Sequence, residues 1–120
     1  METTIKIDGK DLRLKSTAAV PMLYRRQFNR DLLQDAQAVA QVMADKEASG
    51  KDLPLEALTM FENMAYIMAK HADPSMEANT PEEWMEGFST LSIYAIYPVV
   101  QAMWEGNLAR LEEAKKKLAL

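Results

Sequence analysis

Cysteine is absent from this chain and histidine occurs once, as His71. The first absence excludes disulfides, thiolate metal sites and a cysteine nucleophile. The second excludes a zinc site of the ordinary kind, which draws on several histidine or cysteine ligands. His71 lies in "AKHADP", at the end of a helical pattern, where the helix dipole favours a polar or positive group. It is expected there as a solvated helix terminus. Glycine is scarce too. Gly9, Gly50, Gly87 and Gly106 are scattered, and neither GxGxxG nor GxxxxGK occurs, so no phosphate-cradling loop is encoded. Carboxylates do occur in pairs, Glu82–Glu83 and Glu112–Glu113. Without a pocket that separates their pKa values, such pairs are not acid–base machinery. No catalytic constellation is visible, and no cofactor or metal is expected.

Charge of one sign is also missing as a global feature. The 120 residues carry 14 basic and 18 acidic side chains, a net of −4. The sign is uneven: residues 1–30 hold seven basic and three acidic groups, and residues 31–120 hold seven and fifteen. An acidic chain is a poor nucleic-acid binder, because phosphate neutralisation dominates that affinity. The start "METTIKIDGK" has no apolar core of a secretory signal. One run, residues 87–104, is 18 residues long and free of charge. It contains Pro98 and several hydroxyl side chains and is flanked by Glu86 and Glu105, so a buried core helix is expected and a membrane span is not.

What is present points to an α+β, mostly α, single domain over 1–120: a β-hairpin over 1–16, then four to six helices packed as a compact bundle over 17–120. "TIKI" and "DLRLK" alternate around Asp8-Gly9, the strongest short hairpin signal. Two strands alone are marginal in water, so their apolar face must meet helices or another chain. Pro21 suits a first helical position, and Tyr24 and Phe28 fall on one stripe of a helix to about residue 28. Asn29 can take the left-handed conformation that ends it, and Asp31 can start the next helix, which runs to about Glu47. "ASGKDLP" is a loop. A helix from about 55 to 70 follows, with Leu58, Phe61, Ala65, Met68 and Ala72 as its core face. Thr80, Pro81 and Glu83 mark another helix start. A turn is expected near Gly87–Phe88, an interruption or kink at Pro98, and a last helix over about 106–118.

Two features bear on binding. Methionine is in excess, with nine residues. Most fill core space, but Met60, Met64, Met68, Met76 and Met85 are candidates for an adaptable apolar surface, with Met60 nearest the edge of its helix's apolar arc. The second is "YRRQFNRDLLQD" over 24–35, where arginines interleave with aromatics. On a helix Tyr24 and Phe28 point inward, and Arg25 and Arg26 flank them as candidate contacts for a protein partner.

Residues 5–35, "IKIDGKDLRLKSTAAVPMLYRRQFNRDLLQD", resemble tail assembly chaperones of siphophages and of prophages in Gram-positive bacteria. The likeness lies in a hairpin with a Gly turn, Thr17-Ala18, Pro21, Tyr24-Arg25, Phe28 and Asp31-Leu32 at similar spacing. Phe61, Ala65 and Met68, then Pro81, Trp84 and Phe88, follow it more loosely. Asn29 departs from the Gly often found there. The resemblance implies a non-enzymatic protein of the host bacterial cytoplasm, absent from the mature virion, that binds the tape measure protein. Further implied partners are the tail tube protein and a frameshifted longer form of the chain. Consecutive codons for Lys115, Lys116 and Lys117 suit an A-rich slippery run, but the favoured reading of these lysines is a last helical turn whose charge complements the helix dipole. No nucleic acid or membrane partner is implied. The open edges of a two-stranded hairpin leave homo-oligomer formation open. A structural tail or connector component retained in the virion is the alternative.

Overall fold

The alternation in the first fifteen residues forms a hairpin. A computed structural model describes residues 1–49, 55–89 and 94–106. Strands β1 (Glu2–Ile7) and β2 (Lys10–Lys15) pair antiparallel with Ile5 opposite Leu12 and Thr3 opposite Leu14. The link is Asp8-Gly9, with φ of 54° and 75°. Two successive positive φ values define the tight turn whose twist matches the strands, and glycine takes the second without a Cβ penalty. Ile5, Ile7, Leu12 and Leu14 face the core. The outer face carries charge, and Arg13 reaches Glu2 at 2.8 Å.

Helix α1 (Val20–Phe28) begins with Pro21 in its first turn. It ends at Asn29, which is left-handed (φ 55°, ψ 39°) and donates its N–H to the Arg25 carbonyl at 2.7 Å. Asp31 then accepts the Leu33 N–H on Oδ1 at 2.9 Å and opens α2 (Leu32–Ser49). The expected bend at 29–31 is therefore present. Helix α3 (Leu55–Ala72) follows, two residues longer than the periodicity suggests. Helix α4 (Pro81–Met85) starts at Thr80, whose hydroxyl accepts the Glu83 N–H at 3.1 Å. Glu83 reaches back to the Asn79 N–H at 3.0 Å, one residue before the usual partner of a capping box. Turns at 86–88 close α4, and α5 is helical over 94–106. The expected last helix, Glu112–Glu113, Lys115–Lys117 and most of the "ASGKDLP" loop lie outside the described residues.

The centre of the fold is α3. It packs against β2, α1, α2 and α4. It meets α5 through Phe61 and Tyr97, whose ring centroids are 6.3 Å apart, and through a Tyr97 hydroxyl donating to Glu62 at 3.2 Å. Residues 64–69 are buried without a break. At about 1.5–3 kcal/mol for each large apolar side chain removed from water, this helix anchors the domain. The expectation that 87–104 supplies the all-round buried helix is corrected. Residues 90–93 lie outside the described set, and in α5 Tyr94, Ala95, Pro98 and Ala102 are exposed. One side of α5 meets the core, through Ile96, Tyr97, Val100, Met103 and Trp104. Pro98 does not interrupt it. Among the described residues no helix is long and apolar enough to cross a membrane.

Candidate functional site

The burial of α3 decides the fate of the methionines. Met60, Met64 and Met68 are all core residues, at 4%, 0% and 0% exposure. Their four-residue spacing puts them on one line of a helix that other elements cover, so the expected apolar surface is not made by them. Met60 in particular does not face solvent. Met76 and Met85 are half-buried and lean on the core. Among the described helices the methionine that lies open is Met22 on α1, at 42%, and Met1 ahead of β1 is exposed as well.

Arg25 and Arg26 are exposed as expected. The ion pairs among the described residues are Arg13–Glu2 and Arg30–Asp35, so neither Arg25 nor Arg26 has a carboxylate there. The Arg26 guanidinium lies 4.0 Å from the Met22 sulfur, one turn earlier on the same helix. Arg30 behaves differently. It clasps Asp35 through Nε and Nη2 at 2.8–3.2 Å. The same carboxylate accepts the Tyr24 hydroxyl at 2.8 Å. Asp35 thus ties α1, the bend and α2 together. Its carboxyl is held below the usual range, first by the Arg30 hydrogen bond. Burial, with Asp35 beside it, raises the Tyr24 phenol well above its ordinary value. Such a network stabilises one geometry and presents no reactive group. Asp35 was legible in the sequence only as a charge near the arginines.

His71 is not the freely solvated helix terminus expected. It is half-buried, and its Nε2 lies 2.8 Å from the Thr17 hydroxyl, which also accepts the Ala19 N–H at 3.2 Å. The helix end is therefore bonded to the strand-to-helix junction. Burial, then the charge of Lys15, pushes the imidazole below its ordinary pKa. Next to it, Lys70 donates to the carbonyls of Met76 and Ala78, each at 3.0 Å. Tyr66 donates to the Ala78 carbonyl at 3.0 Å, and Gln27 to that of Asn79 at 2.9 Å. The 73–80 loop is thereby pinned across α1 and α3. No signal in the local sequence could have shown this.

These bonds frame a cleft of about 310 Å³ between α1, the C-terminal half of α3 and Pro74. Tyr66 and Ile67 floor it, Leu23 and Pro74 wall it, and Arg26, Gln27, Lys70 and His71 edge it. A second cleft, between α1, α2 and the start of α3, contains the Tyr24–Asp35–Arg30 network. Among the described residues no cluster of three or more histidine, aspartate or glutamate side chains is placed to hold a metal. The geometry is that of a surface that can bury apolar side chains beside Arg26, which has no carboxylate partner among the described residues. No protein-family model, no curated protein and no solved structure matches the chain.

Proposed function

We propose that this chain is a phage tail assembly chaperone that binds the tape measure protein and keeps it soluble while the tail is built. The observation that carries the reading is the run 5–35 with its hairpin, Thr17-Ala18, Pro21, Tyr24-Arg25, Phe28 and Asp31-Leu32. Two structural features support it. An apolar cleft is edged by Arg26, which has no carboxylate partner among the described residues, and the polar network nearby only braces the backbone. The mechanism is burial of client apolar surface, with charge setting orientation. Several copies along one long client add avidity. On this reading the protein acts in the host cytoplasm and leaves before the virion matures.

Co-expression with the long tape-measure gene of the same cluster tests it. The expected result is a client that turns soluble and co-elutes with the chain. An insoluble client with no complex refutes the reading. The alternative, a tail or connector component, predicts stoichiometric amounts of the chain in purified particles by mass spectrometry.

A further inference from the structure

The cleft beside α1 has a chemistry that specifies its occupant. Its floor and walls are apolar, and no acidic residue lines it. The sequence neighbour of Pro74, Asp73, is turned into its own loop, where its Oδ1 accepts both the N–H and the hydroxyl of Ser75. On the α1 edge stands Arg26, and one turn earlier on the same helix the exposed Met22 lies 4.0 Å from its guanidinium. On the α3 edge stands Lys70, whose ammonium makes two bonds to carbonyls and has a third proton to give.

We infer that this cleft docks a short acidic, apolar segment of a protein, with an apolar side chain on Ile67 between Leu23 and Pro74 and a carboxylate on Arg26. The volume suits one or two side chains and lies at the small end for a ligand cleft. Met22 adds an adaptable shelf beside the arginine, which tolerates varied side chains. A carboxylate against a planar guanidinium gains a paired contact that a lysine would not supply. A protein segment is favoured over nucleic acid because the site is an apolar notch with few cations on a chain of net charge −4. The inference rests on the reading of the chain as a binder of a protein client.

The test uses the full chain, labelled with nitrogen-15 and titrated with a short synthetic peptide. The peptide carries two leucines one helical turn apart, flanked by glutamates. The expected result is saturable amide shifts at Leu23, Arg26 and Ile67. Arg26→Glu, a change at an exposed position, is expected to weaken binding by about ten-fold or more, and so is a peptide with lysine for glutamate. The inference is overturned if no shifts appear, if they fall elsewhere, or if Arg26→Glu or the lysine peptide binds equally well. It is also overturned if a short DNA duplex produces the same Arg26-dependent shifts more tightly than the acidic peptide. Co-expression separates this inference from the chaperone reading. A tape-measure complex that forms equally with Arg26→Glu sinks the cleft and leaves the chaperone. Peptide docking without any such complex sinks the chaperone and leaves the cleft.

Discussion

Asp35 is where one carboxylate holds two helices, and its removal makes a graded prediction. Asp35→Ala strips the acceptor from the Tyr24 hydroxyl, on a residue only 1% exposed. A hydrogen bond from a buried donor to a charged acceptor contributes about 1.5–3 kcal/mol. The Arg30 side chain is 63% exposed, so its share of the pairing is at most about 1 kcal/mol. A carboxylate in the first turn of α2 adds about 0.3–1 kcal/mol through the helix dipole. The expected cost is about 2–4 kcal/mol for Asp35→Ala, about 1–2 for Tyr24→Phe and under about 1 for Arg30→Ala. Urea unfolding followed by the fluorescence of Trp84 and Trp104 measures all three. The Asp35 pKa is depressed, so its contribution is complete above the unfolded value near 3.8 and is lost as the pH falls through the folded one. If Arg30→Ala costs as much as Asp35→Ala while Tyr24→Phe is neutral, the surface ion pair carries the junction and the reasoning fails.

The folded pKa of His71 lies below 6.5, so its neutral form stabilises the fold above the unfolded value and that stability drains as acid is added. Thermal midpoints should fall between about pH 7 and pH 5.5, and His71→Gln should flatten that slope. Met64→Ala, at a fully buried site, should cost about 2–5 kcal/mol. Met22→Ala, at an exposed one, should stay within about 0.5 kcal/mol in the same urea assay. Lys70→Met removes the donor to Met76 and Ala78, so amide exchange over 76–80 should accelerate while that of 64–69 is unchanged. Equal acceleration in both segments would mean that Lys70 supports the core and not the loop.

The parts of the fold that were legible share one property: their causes are local. Asp8-Gly9 dictates a turn, Asn29 a helix end, Asp31 and Thr80 helix starts, and each is where its residue type says. The identity of the central helix is not a local matter. Residues 87–104 have no charge, and α3 carries Glu56, Glu62, Lys70 and His71, so composition favours the wrong one. What decides is how many elements surround a helix. The flanking polar groups of α3 are consumed by partners far along the chain, Glu62 by Tyr97 and His71 by Thr17. Met60 fell on the same error, since the edge of an apolar arc is exposed only when nothing packs beside it.

The arginines show how a single residue can divide structural charge from available charge. In a straight helix Met22, Arg26 and Arg30 would follow one another at four-residue spacing on one face. The left-handed Asn29 breaks that line. Arg30 is carried onto α2, where Asp35 neutralises it, and Arg26 stays on α1 beside Met22 and the cleft. Sequence periodicity places Arg25 and Arg26 outside correctly, but it cannot assign Arg30, because the partner depends on the bend angle. A glycine at 29 would reach the same φ at no steric cost, so Asn29→Gly should preserve the Arg30–Asp35 pair. A β-branched residue there would resist a positive φ, and Asn29→Val should loosen that pair and bring Arg30 towards the face of Met22 and Arg26.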